Sequence, residues 1–92
     1  MSKSLLEFLR ASEKDQRISA THLAIFSALL QYSASRGAVN PISAFSYQIV
    51  PIAKISLTTY HKTIRELSSY GYLKYEPSLK NNIPSRIYFL NN

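Results

Sequence analysis

Thr58, Lys62, Arg65 and Ser69 follow one another at intervals of four, three and four residues, the spacing that gathers side chains on one face of an α-helix. Hydroxyls, an ammonium and a guanidinium on such a face can hydrogen-bond base edges in a DNA major groove and the flanking phosphates. Thr59 adds a hydroxyl one position on. Leu57, Tyr60, Ile64 and Leu67 form the complementary apolar stripe, which must face a core. Ser56 is placed to cap this helix, and Ser56 and Leu57 stand where backbone N–H groups without helical partners favour a phosphate. The helix has one acid, Glu66, toward the edge of the polar face, where it either pairs with Lys62 or refuses a wrong base. His61 lies nearer the core boundary and reads as a partly packed side chain. His22 reads as a helix surface residue.

Other chemistries find few residues to work with. The 92-residue chain has no cysteine, so it has no thiol nucleophile, disulfide framework or thiolate metal site. Two histidines and five scattered acids are a poor supply for a metal centre or an acid–base pair, and two isolated glycines make no phosphate-cradling loop. Tyrosines are plentiful, but Tyr60 falls on the core side of its helix and Tyr72 and Tyr75 fall on opposite faces of a strand, so they make no shared stacking platform. The expectation is a protein that is not an enzyme and has no metal, no cofactor and no small-molecule ligand.

The elements that must position the basic face are also legible. The length suits one domain, residues 1–92. Ser4 and Glu7 form a capping box for a first helix within residues 1–12, with Leu5, Leu6, Phe8 and Leu9 as its apolar stripe. The charged stretch 12–17 reads as a solvated connection. Leu23, Ile25, Phe26, Leu29, Leu30 and Tyr32 mark a central core helix, capped by Ser19 or Thr21 and stopped by Gly37. After Asn40 and Pro41, residues 42–45 form a short extended or turn segment. A short helix limited by Pro51 follows and ends near Ala53. Residues 54–56 make a tight link into the polar-faced helix, 57–70, which Gly71 stops. From Tyr72 the period switches to two, predicting two antiparallel strands across 72–90 joined by a polar tip in which Asn81 and Asn82 tolerate a left-handed backbone.

Short helix, tight turn, second helix and β-hairpin is the order of a helix-turn-helix with a wing. The charge agrees with a polyanionic partner: of a formal +6, the part after Asn40 carries six Lys/Arg against two acids. No apolar run near the start has the character of a signal peptide or a membrane span, so the expectation is a cytoplasmic protein with no membrane partner.

The stretch from Ile55 through Thr58, Tyr60, His61, Lys62, Ile64, Arg65, Glu66 and Leu67, continuing into Tyr70, Gly71, Tyr72, Leu73, Lys74, Tyr75, Pro77 and Ser78, resembles the small winged helix-turn-helix DNA-binding proteins of Bacteroidetes, many of them on mobile elements. The resemblance runs from about Ile18 to Leu90 and is strongest between Ile55 and Ser78. It implies an α+β winged helix with three to four helices and a C-terminal β-hairpin wing, 57–70 serving as recognition helix and 72–90 as wing. The chain departs from the pattern in having no glycine in 79–85 and in carrying Pro51. The implied contacts to the DNA backbone are Lys54 before the recognition helix, Lys80, Asn81, Asn82 and Ser85 at the wing tip, and Arg86 or Lys74 on a strand.

The expected function is sequence-specific binding of double-stranded DNA by a transcriptional regulator or a mobile-element accessory factor. The alternative is a winged-helix protein-interaction module whose basic face is incidental. A homodimer is possible, with the first helix as its interface, unless that helix caps its own core.

Overall fold

Both helices longer than ten residues stop at a glycine, and for the same reason. In the computed structural model, which describes residues 3–90, α2 (Ala20–Ser35) and α4 (Leu57–Ser69) are each followed by a glycine with positive φ, Gly37 at 85° and Gly71 at 88°. That left-handed turn sends the next N–H groups back to the last carbonyls. Ala38 N–H donates to the Ser33 carbonyl and Gly37 N–H to Ala34, while Tyr72 N–H donates to Leu67 and Gly71 N–H to Ser68. Both ends are Schellman motifs, which glycine permits at no steric cost.

The remaining elements are α1 (Lys3–Ser12), β1 (Ile42–Ala44), α3 (Ser46–Ala53), β2 (Leu73–Glu76) and β3 (Ser85–Phe89). The fold is therefore α+β, four helices with a three-stranded antiparallel sheet in the order β1-β3-β2. The hairpin was expected, and 42–45 was expected to be extended or a turn, but its pairing with the hairpin was not. Residues 42–44 pair with β3, Ile42 opposite Ile87 and Ala44 opposite Ser85. Three residues are too few to display a period of two, so only the partner reveals the strand. The side-chain amide of Asn40 extends this ladder by accepting from the Phe89 N–H at 3.0 Å and donating to the Phe89 carbonyl at 3.1 Å.

Helix α2 runs through the core, with Ile25, Phe26 and Leu29 fully enclosed. Ile42, Leu73, Ile87 and Phe89 meet it from the sheet, and Ile49, Tyr60, Ile64 and Leu67 from α3 and α4. Helix α1 closes one end: the Phe8 ring lies flat on Phe26, centroids 4.0 Å apart, and edge-on to Tyr72 at 5.2 Å. Leu5 and Leu9 pack against the same cluster, and Leu6 is left at 38% exposure. The stripe that was a possible dimer surface thus caps its own core. Ser4, expected as the cap, lies within the helix, and its side chain lies outside the described residues.

The stretch after α1 is pinned rather than simply solvated. The Arg17 guanidinium grips the Asp15 carboxylate through two contacts of 2.9 and 2.8 Å, the Tyr72 hydroxyl donates to Asp15 at 2.6 Å, and Arg17 lies 4.1 Å over the Tyr70 ring. The pattern 12–17 could not show this because both tyrosines are more than fifty residues away in sequence. Arg17, and then Tyr72, hold the Asp15 carboxyl well below the usual carboxylate range.

Two outcomes follow from this packing. Leu67→Ala empties a site that is 0% exposed at the junction of α4 with the core, and should destabilise the protein by about 2–5 kcal/mol in denaturant unfolding. Because the Asp15 acidity is greater in the folded chain than in the unfolded one, its contribution to stability is present above about pH 4 and disappears as the pH falls further. Thermal melts between roughly pH 6 and pH 2 should therefore lose Tm less steeply in Asp15→Asn than in the wild type; parallel losses would contradict the assignment.

Candidate nucleic-acid interface

Helix α3 ends two residues beyond Pro51, as expected of a proline without an N–H to give. Lys54 then takes the left-handed conformation, φ 60°, its N–H donating to the Val50 carbonyl. Three residues, 54–56, separate α3 from α4. Ser56 Oγ accepts from the Thr59 N–H at 3.1 Å and donates to Thr59 Oγ1 at 2.8 Å, so its hydroxyl serves as the helix cap that the sequence predicts.

The rotation of α4 is close to the one its sequence implied. At about 100° per residue, Tyr60, Thr63, Ile64 and Leu67 share the buried arc, and Thr58, Lys62, Arg65 and Ser69 the exposed one. Leu57 is a correction, being 51% exposed where a core position was expected. It lies in the first turn, at the margin of the buried arc, whose centre falls between Tyr60 and Leu67. Thr63 is buried instead.

Glu66 and His22 correct the reading together. His22 is 5% exposed, not a surface residue. Its Nδ1 accepts from the Ser19 N–H at 3.0 Å and lies 2.8 Å from Ser19 Oγ, and its Nε2 is 3.0 Å from Glu66 Oε1. With Nδ1 accepting, the ring proton resides on Nε2 and is donated to Glu66. The acid of α4 is therefore bound to the start of α2 and not to Lys62. Sequence could not show a bond spanning 44 positions. Lys62 and Arg65 make no ion pair among the described residues.

The hairpin brings part of the expected set to α4. The Arg65 guanidinium lies 5.6 Å from the centre of the Tyr75 ring, and a cleft between the two elements is lined by Arg65, Lys80, Asn81 and Ser85 from the expected set. It is also lined by His61, Tyr75, Ser78 and Ser46, which were not assigned to the interface. Ser78 carried a recognisable signal. It receives the Lys80 N–H at 3.1 Å and donates to the Lys80 carbonyl at 3.0 Å, a hydroxyl turn of the kind Ser-x-x sequences form. This, with the Ile83 N–H reaching the Lys80 carbonyl, turns the tip without glycine. Asn81 and Asn82 do not adopt the left-handed backbone expected of them; among the described residues other than glycine only Ala38 and Lys54 do.

Arg86 and Lys74 do not join the set. Strand alternation and the register Glu76 opposite Arg86 place both on the sheet face away from the core, whereas α4 packs on the inner face. There the Lys74 ammonium sits 3.2 Å from Glu76, and the Tyr88 hydroxyl donates to Glu76 at 3.1 Å. Lys74, followed by Tyr88, holds the Glu76 carboxyl below its ordinary range. Lys54 is exposed at the turn between α3 and α4.

No helix among the described residues is long and apolar enough to cross a membrane, and no group of three acids or histidines there could hold a metal ion. The chain matches no family model, no curated protein and no solved structure. Removal of the Ser56 hydroxyl in Ser56→Ala leaves the Thr59 N–H without its cap and should cost about 1 kcal/mol of stability in urea unfolding; a cost near zero would show the cap to be unimportant.

Proposed function

We propose that this chain is a winged helix-turn-helix protein that binds double-stranded DNA sequence-specifically, laying α4 in the major groove and the tip of the β2–β3 hairpin on the backbone. The observation that carries the reading is the division of charge on α4. Thr58, Lys62, Arg65 and Ser69 stand exposed on one side, and the helix's acid is drawn off that face by His22. A polyanion approaching this face meets no carboxylate on it.

Topology and dimensions support the same reading. Two helices separated by three residues, the second followed by a hairpin and the first preceded by a strand that joins the same sheet, match the arrangement of a helix-turn-helix with a wing. Thirteen helical residues extend about 20 Å, and a major groove about 12 Å wide admits a helix. Thr58, Lys62, Arg65 and Ser69 supply base and phosphate contacts, while Lys80 and Asn81 supply backbone contacts. A cytoplasmic regulator of transcription, or an accessory factor of a mobile element, uses such a surface.

Affinity for duplex DNA should fall steeply with salt, log K against log salt having a slope near −0.9 for each phosphate neutralised. Lys62→Ala with Arg65→Ala should keep the wild-type melting curve, remove most of the affinity and flatten that slope by roughly two such increments. Selection from a randomised duplex pool should return a motif with the wild type. Undiminished affinity in the double variant would overturn the assignment of α4, and affinity insensitive to salt would point to a protein partner instead.

A further inference from the structure

The cleft between α4 and the hairpin has a composition that the DNA reading did not require. It encloses about 280 Å³ and receives side chains from three elements: Ser46 from the first turn of α3, Tyr60, His61 and Arg65 from α4, and Ser78 and Lys80 from the hairpin. No carboxylate lines it. Of the chain's acids near this end, Glu66 is held by His22 and Glu76 by Lys74 and Tyr88 on the other face of the sheet. The cleft is thus supplied with donors and positive charge, with no internal counter-charge.

Two features show that the donors lack acceptors. Tyr60 is 1% exposed, yet its hydroxyl has no hydrogen-bond partner among the described residues. A buried hydroxyl without a partner is costly, and burial pushes this phenol well above its usual range, so it remains a donor. The second feature is the start of α3. Its N-cap, Phe45, has no side-chain acceptor to offer, and the Gln48 carboxamide is engaged with the Phe45 N–H at 2.9 Å. The N–H groups of Ser46 and Tyr47 therefore have no partner within the helix, at the end where the helix dipole is positive.

We propose that this cleft seats a single phosphoryl group, with Arg65 and Lys80 as its cationic partners and the Tyr60 hydroxyl and the first turn of α3 as uncharged donors. Donors arrive from a helix end, a helix flank and a hairpin tip. That distribution suits oxygens pointing in several directions from a tetrahedral centre better than the two coplanar oxygens of a carboxylate. Arg65 is steadied for the task by the Tyr75 ring beside it. The phosphoryl group belongs either to a DNA backbone, in which case the inference rests on the DNA reading, or to a free phosphorylated ligand, in which case it does not.

Titration of inorganic phosphate into the isotopically labelled full chain, followed by amide NMR at constant ionic strength, tests the site. Saturable shifts are expected at Ser46, Tyr47 and Lys80, absent with chloride, and weakened roughly ten-fold in Tyr60→Phe, which removes one hydroxyl bound to a charged group. Lys80→Ala should weaken binding as well, whereas Lys62→Ala, outside the cleft, should not. In parallel, duplex DNA is bound to the wild type, Tyr60→Phe and Lys62→Ala. Phosphate shifts together with weaker duplex binding in Tyr60→Phe assign the group to the backbone; the same shifts with undiminished duplex binding, or with no duplex binding by any form, assign it to a free ligand. Absence of saturable shifts with duplex affinity equal in Tyr60→Phe and wild type overturns the proposal. If Lys62→Ala still impairs duplex binding in that case, the DNA reading survives the failure.

Discussion

The angle at which α4 is rotated about its own axis governs most of what this molecule presents to its surroundings. Tyr60, Thr63, Ile64 and Leu67 are all buried, and α4 packs against α2, α3 and β2. A helix gripped on one side by so many close-packed side chains cannot turn by even one position without exposing a leucine and burying a lysine. The exposed arc, with Thr58, Lys62, Arg65 and Ser69, is the consequence of that grip. Hydrophobic packing inside the protein thus sets the geometry of a polar surface outside it.

Charge is sorted by the same packing. The acids after Asn40, Glu66 and Glu76, are each drawn to a partner away from the exposed arc of α4, one to His22 at the head of α2 and the other to Lys74 on the outer sheet face. With both carboxylates engaged elsewhere, the charged side chains of that arc, Lys62 and Arg65, are cations. The bond between His22 and Glu66 also joins α2 to α4, so a contact that positions the acid is a structural contact as well. Arg86 and Lys74 show the converse. They add to the formal charge of the chain but face a direction in which they do not reinforce α4.

Around this centre the small fold is closed by local ties between polar groups and aromatic rings. Asp15 links the connection after α1 to Tyr72 at the foot of the hairpin, while Phe8 seals the core through Phe26. Asn40 imitates a strand residue with its side chain and so lengthens the contact between β1 and β3. Ser78 does for the hairpin tip what a glycine would otherwise do, by hydrogen bonds instead of by conformational freedom.

Much of this was already present in residue order. The helical spacing from Leu57 to Ser69, the cap at Ser56, the glycine stops at Gly37 and Gly71, the short helix limited by Pro51 and the alternation after Tyr72 are local signals, each readable within one or two turns of chain, and each corresponds to an element of the structure. Tertiary structure alone decided what depends on partners far apart in sequence. It made a strand of Ile42–Ala44 by supplying β3, buried His22 by supplying Glu66, left Leu57 outside the core, and placed Arg86 on the far side of the sheet by fixing the register. Propensity, capping and periodicity act between neighbours along the chain, whereas burial, hydrogen bonds between elements and strand register act between neighbours in space, and those neighbours exist only once the core has formed.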